Sequence, residues 1–302
     1  MAISQVRAQI NGVWHTLTLN ASTGLYEATV TAPAVTSFNL SGGYYNVTVE
    51  ATNDAGTTGT ANASSLDGLK LVVEERVPPV ITILSPGAGA YVTNGQQPVV
   101  FTVVDEANGS GVDLSSLVVK LDGAAVTAAE IATTAITNGY SVTYTPKSAL
   151  SNGPHTVSVE ASDNDGNAAE SKSVSFTVDT IAPTLNVTSP ADGLITSSGT
   201  VALKGTTNDS TSSPVTLKAT VNGVDAGAIT IGSDGSFSKT LTLNAEGDNV
   251  IVVTATDSAG LTTTVTVTVV LNTAVPKILS AVINPNPVDA GATMIISVEV
   301  SE

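Results

Sequence analysis

The densest run of oxygen ligands in this chain is Asp163-Asn-Asp-Gly-Asn167, and the chemistry it could do is hard-cation binding. Asp163, Asp165 and Asn167 offer carboxylate and amide oxygens close together, the donor set calcium takes. The run lacks the loop length and closing Glu of an EF-hand. Its sister turns, Asn53-Asp-Ala-Gly56 and Asp257-Ser-Ala-Gly260, keep the turn and lose the second carboxylate. Asx-turn chemistry, in which Asp or Asn caps its own turn, explains all three copies equally well. No metal or other cofactor is therefore assigned, and Asp163, Asp165 and Asn167 stand only as calcium candidates.

Catalysis has less to work with. Acid–base work needs two carboxylates in different environments of one cleft, and the spacing of Asp105, Glu106, Asp113, Asp163 and Asp165 indicates no cleft. The chain has no Cys, which excludes thiolate nucleophiles, thiolate metal sites and disulfides. Its two histidines are His15 and His155. His155 aligns with Tyr45 at the start of a strand, where a polar ring end ties back to the neighbouring loop. His15 follows Trp14 and reads as a solvated turn residue. No catalytic residue is expected, and the chain reads as a non-enzyme.

These residues must be carried by strands. In Leu261-Thr-Thr-Thr-Val-Thr-Val-Thr-Val-Val270, Val265, Val267 and Val269 share one face while Thr264, Thr266 and Thr268 share the other. Val47-Thr-Val-Glu-Ala and Val157-Ser-Val-Glu-Ala alternate likewise. Helical periodicity is hard to find. Short strands separated by Gly, Asn, Asp and Pro clusters predict an all-β chain of antiparallel sandwiches.

Two landmarks repeat. The opening one reads Pro79-Val-Ile-Thr-Ile-Leu-Ser-Pro86, then Pro183-Thr-Leu-Asn-Val-Thr-Ser-Pro190, and begins again at Pro276-Lys-Ile-Leu. The closing one reads Val47 to Gly56, Val157 to Gly166 and Ile251 to Gly260. Periods this long are whole domains in tandem. The predicted organisation is a first module over 1–77 lacking its first two strands, complete modules over 78–180 and 181–273, and a two-strand partial module over 274–302. In the third module strands are predicted near 184–188, 200–206, 215–222, 226–232, 235–243, 249–256 and 262–270. Short stiff linkers near Val77-Pro-Pro79 and Ile181-Ala-Pro183 predict an elongated rod.

Lys plus Arg total 10 against 26 Asp plus Glu, a net charge of −16. Nucleic acid and anionic membrane are poor partners for such a surface. No apolar run is long enough to insert in a bilayer. Met1-Ala-Ile-Ser-Gln-Val-Arg7 has no secretory-signal pattern. Trp14, Tyr26, Phe38, Tyr44 and Tyr45 crowd the start of the chain and are read as a heavier core for a module short of strands.

The repeated Ala-Thr-Asp-x-Ala-Gly turn resembles that of bacterial immunoglobulin-like domains, over essentially the whole chain. The segment Asn11-Gly12, Tyr26-Glu-Ala-Thr-Val30 and Tyr44-Tyr45, with Pro285-Asn-Pro-Val288-Asp-Ala-Gly291, is similar to Ig-like proteins of prophage tail modules from Gram-positive bacteria. The resemblance implies a virion or extracellular location and synthesis without a signal peptide. It leaves open a secreted adhesin or cell-wall stalk, with a cell-surface carbohydrate or protein as ligand.

The incomplete ends are complementary. Gly291 to Glu302 lines up with Gly95 to Glu106, the second strand of a complete module. The segment over 276–302 is therefore expected to complete the first module of another copy, or of a related structural protein, by strand complementation. Met294, Ile296, Val298 and Val300 would face the acceptor core.

Overall fold

Tight turns set the strand order. Asn11-Gly12, Asp122-Gly123 and Asn222-Gly223 have positive φ at both residues, the conformation that joins antiparallel strands with two residues. The computed structural model describes residues 2–301, and the chain divides into two compact units between Val178 and Asp179. The architecture is all-β, in tandem immunoglobulin-like sandwiches.

The second module is a complete sandwich. One sheet orders Ile131–Ile136, Gly139–Tyr144, Val99–Val104 and Val80–Ser85. The other orders Ala124–Ala125, Val112–Leu121, Gly153–Asp163, Lys172–Val178 and Tyr91–Val92, with the last pair parallel. Val99, Phe101 and Val103 point inward from one sheet, and Val157, Val159 and Val178 from the other. The third module repeats the plan. Thr184–Ser189, Thr200–Asn208 and Ser236–Thr242 face a five-stranded sheet built on Gly247–Thr256 and Thr262–Leu271. No strand forms over the predicted 226–232, where only Ile231 makes an isolated bridge to Phe237; the short strand lies just before it, at Val224–Asp225, and the unpredicted Leu194–Thr196 pairs parallel with the last strand.

The first module departs from expectation. Its strands form a single sheet in the order Leu25–Glu27, Val13–Asn20, Ile3–Ile10, Thr48–Asn53 and Thr58–Ala61. A short ribbon pairs Tyr45–Asn46 with Lys70–Leu71. Leu25–Glu27 joins this same layer because the turn at Asn20–Gly24 folds it beside Val13–Asn20. Among the described residues of this module the only other sheet is that two-stranded ribbon, and none of them belongs to a buried apolar cluster.

The aromatic expectation fails for the same reason. Trp14 lies on the polar face beneath the Arg7 guanidinium, 4.2 Å from the ring centre, and Phe38 is exposed. Only Tyr45 of the early aromatics is buried. His15 is also no turn residue: Asn11-Gly12 completes the turn, so His15 sits in the next strand opposite Ala8.

Near the end, Ile278–Asn284 and Ile295–Val300 form a two-stranded sheet. Its pairs Ile278 with Val300 and Ala281 with Val298 match Ile81 with Val103 and Ile83 with Phe101 in the second module. The structural equivalence is thus one residue out of step with the Gly291–Gly95 alignment. That step sets Ile296, Val298 and Val300 at the places of Val99, Phe101 and Val103, where the other alignment would set Ser297 and Glu299 at two of them.

Candidate cation sites and the exposed hairpin

Asp163, Asp165 and Asn167 do not assemble as an open ligand set. Asn167 occupies both Asp163 oxygens, with its backbone N–H on Oδ1 and its amide on Oδ2, each at 2.8 Å. That is the Asx-turn arrangement. Asp165 Oδ2 accepts from Thr36 Oγ1 at 2.6 Å and from the Glu75 N–H at 3.0 Å. Asp165 is therefore a strut tying the first module to the second, assisted by Asn39 donating to the Gly109 carbonyl at 2.9 Å.

The carboxylates that converge come from distant segments. Glu75, Asp105 and Glu106 bring oxygens within 4.8 Å of one another, and so do Asp179, Asp209 and Asp257. In the first group Asp105 Oδ2 accepts the Gly111 N–H at 2.7 Å, while Asp105 Oδ1 and Glu106 Oε2 are buried without a partner. Burial, then hydrogen bonding with Asp105 and the charges of Asp105 and Glu75, pushes the Glu106 carboxyl up to about 7. Burial also raises Glu75, with the neighbouring Asp163 and Asp105 adding to the effect. Gly109 closes over this group: a Cβ there would lie 2.5 Å from Asp105 Oδ2. Sequence reading missed both groups because each gathers residues from separate stretches of chain, two in the first group and three in the second. The available signal was the recurrence of an acid at the same place in successive modules.

The position shared by Tyr45 and His155 behaves as predicted. Tyr45 Oη donates to the Val35 carbonyl at 2.9 Å. His155 bridges Asp122 Oδ2 at 2.7 Å and the Ser151 carbonyl at 2.9 Å. Asn249 fills the same place in the third module, donating to the Ala245 carbonyl at 2.7 Å.

Burial pulls the His155 imidazole down, but the Asp122 hydrogen bond, the Ser151 carbonyl and the Asp122 charge together raise it. Asp122 is lowered: burial acts upward and is outweighed by its bonds to His155 and the Thr156 N–H. The imidazole's contribution is thus complete below its ordinary pKa of about 6.5 and lost as pH climbs through the raised value. The Asp122 contribution is lost at the acid end, as pH falls through its lowered pKa. We expect His155→Asn, the side chain used at Asn249, to flatten the alkaline decline in melting temperature. Melts of both proteins between pH 5.5 and 8.5 check this, and the variant is required because Glu106 titrates in the same range.

One face of the hairpin is apolar throughout, and the other is mixed, carrying Val282 and Ile295 among polar residues. Ile283, Ile296, Val298 and Val300 share a face with Ala281, while Ser280, Val282, Asn284, Ser297 and Glu299 take the other. Val99, Phe101 and Val103 are 0% exposed, yet Ile296, Val298 and Val300 are 60%, 52% and 56% exposed, and Met294 49%. The first module has a matching surface. Val6 pairs with Leu17 and Ala51, and Ala8 with Val49, so these apolar residues line one face of the single sheet. Most of them are only half-buried. Arg7, Glu50 and Thr16 occupy the opposite face.

A family model described as bacterial Ig-like domain matches residues 88–180, and one described as glucodextranase, domain B, matches 183–273. No curated protein sequence matches the chain. Among solved structures, fibronectin(III)-like modules of Clostridium thermocellum CbhA align at 19% identity with a TM-score of 0.39, covering 64% of this chain and 94% of theirs. Immunoglobulin domains 1–4 of Sidekick-1 align at 14% identity and a TM-score of 0.37, covering 89% of this chain and 67% of that one. The family match covers the second module, and the strand orders give the fold class, tandem Ig-like sandwiches.

Proposed function

We propose that this is a non-enzymatic structural and interaction protein that joins its neighbours by sheet complementation. The observation that carries the proposal is the hairpin of residues 278–300, whose apolar face is exposed where the equivalent face of a complete module is fully buried. In the second and third modules, the sheet containing the first two strands lies across the sheet containing the last two. The first module has the latter sheet, and none of its described residues joins a buried apolar cluster. A hairpin from another copy laid on Val6, Ala8, Leu17, Val49 and Ala51 would restore the two-layer arrangement, with Met294, Ile296, Val298 and Val300 inward. Such pairing is head-to-tail and yields open chains unless geometry closes them.

Assembly of this kind suits a repeating particle, and the sequence resemblance to prophage tail modules favours a virion or tail-like particle. Tail and baseplate genes adjacent to the coding sequence are the expected neighbourhood. A sortase signal or signal peptide in the full-length gene would favour the surface adhesin instead. The match of residues 183–273 to a glucodextranase domain supports a further reading, an accessory module of a carbohydrate-active enzyme. Retention of the protein on insoluble dextran would support that one.

The direct test is size-exclusion chromatography with light scattering, with and without residues 276–302. The full chain is expected to grow in mass with concentration, and the truncated chain to remain a monomer. Identical monomers with identical melts would end the complementation reading.

A further inference from the structure

The two carboxylate groups share two positions in successive modules, the acid of the entry segment and the acid after the second strand; the third ligand differs, Glu106 in one and Asp257 in the other. Glu75 stands four residues before Pro79, Asp105 follows the strand Val99–Val104, and Asp163 ends the strand Gly153–Asp163. Asp179 stands four residues before Pro183, Asp209 follows Thr200–Asn208, and Asp257 follows Gly247–Thr256. Turn formation explains one acid at the end of a strand. It does not explain why an acid from the entry segment converges on it twice.

The group in the third module is the more deeply enclosed. Asp179, Asp209 and Asp257 are 0%, 8% and 6% exposed, with oxygens within 4.8 Å of one another. Carboxylates that close and that far from bulk water repel, and a cation or a proton must offset the repulsion. None of the ion pairs formed by described Lys, Arg or His side chains reaches either group. The carboxylates are nevertheless held in place by donors. The Leu261 N–H binds Asp257 Oδ1 at 2.9 Å, and the Thr211 and Ser212 N–H groups bind Asp209 Oδ1 at 2.8 and 2.7 Å. Asp179 accepts from the Ile181 N–H at 3.1 Å and from Ser212 Oγ.

What remains is a buried oxygen with no partner, Asp257 Oδ2, beside the other two carboxylates. In the second module the orphaned oxygens are Asp105 Oδ1, on a side chain 4% exposed, and Glu106 Oε2. Orphaned oxygens on well-anchored buried acids are what a cation site without its ion presents.

We propose that each group binds one calcium ion, through Asp179, Asp209 and Asp257 in the third module and through Glu75, Asp105 and Glu106 in the second. All donors are oxygens, which selects a hard cation over zinc or copper. Their positions are set by loops and an entry segment rather than by a regular octahedron, which selects calcium over magnesium. Bound calcium pins the segment entering each module to the loop after its second strand. In the third module it also holds the turn after Gly247–Thr256. In the second module that entry segment is the one leaving the first module, so the ion reinforces the Asp165 strut.

The experiment uses the full chain, stripped with EDTA and titrated calorimetrically with calcium chloride and separately with magnesium chloride. Two equivalents of calcium are expected, and saturation should raise the melting temperature by about 5 °C or more. Asp257→Asn should retain one equivalent and lose part of that rise, and Asp209→Asn should do the same, with circular dichroism confirming that both fold. Absence of binding at millimolar calcium, identical melts in EDTA and calcium, or two equivalents retained by both variants would overturn the sites. Magnesium bound as tightly as calcium would overturn the choice of ion.

Discussion

On the proposed sheet complementation, Ile296→Asp with Val298→Asp should leave the chain monomeric where the parent associates, without unfolding any module. Both side chains lie on the apolar face of the hairpin and are exposed in the isolated chain, so each module's own core is untouched. In the assembled state they would lie against Val6, Leu17 and Ala51. Burying a branched aliphatic side chain contributes about 1.5–3 kcal/mol, so losing two removes about 3–6 kcal/mol. That lowers the association constant by about 10²–10⁴ before any penalty for burying carboxylates is counted. Sedimentation velocity of the variant against the parent measures this directly. A control on the other face of the hairpin, Ser297→Asp, should assemble normally. If the double variant assembles as the parent does, the hairpin face is not the interface.

Gly205→Val should strongly destabilise the third module while leaving the stability of the second unchanged. Gly205 lies mid-strand in Thr200–Asn208, pairing with Val187 on one side and Phe237 on the other. A Cβ built there would lie 2.2 Å from the Asn186 carbonyl oxygen and 2.5 Å from Phe237 Cζ. The ring is buried in the module core and the carbonyl belongs to the adjacent strand, so neither can move aside cheaply. Overpacking a core costs about 1–3 kcal/mol, and a branched side chain against backbone belongs at or beyond the upper end. A loss of about 3 kcal/mol lowers the melting temperature of a module this size by about 12–24 °C. Calorimetry should show one transition displaced and the other unmoved. Gly199→Ala, where a Cβ meets nothing within 4 Å, serves as the neutral control. Combining Gly205→Ala with Phe237→Leu should recover only part of the loss, because the carbonyl remains.

Much of this protein was legible in its sequence for one reason: alternation with period two is a local property. The Val265–Val267–Val269 face, the Asn222-Gly223 turn and the boundaries of Gly247–Thr256 follow from side-chain parity and from residues that tolerate positive φ. The face that Ile296, Val298 and Val300 share in the hairpin was equally readable. The alignment that proposed them was a residue out of step, but parity corrected it.

What the sequence could not decide is what depends on layers meeting. Leu25–Glu27 is as plausible a strand for one sheet as for the other, and only the turn at Asn20–Gly24 returns it to the first. Trp14 looks like core by type, yet it shares a face with Arg7 because of its register against Gln9. The carboxylate groups are the clearest case. The sequence placed Asp163, Asp165 and Asn167 side by side, and local proximity made them candidates. The fold spent them on a turn and a strut, and brought Asp179, Asp209 and Asp257 together across 78 positions of chain. Contiguous ligands read directly from sequence. Ligands gathered at one end of a sandwich, from three loops, become visible only when the two sheets have closed.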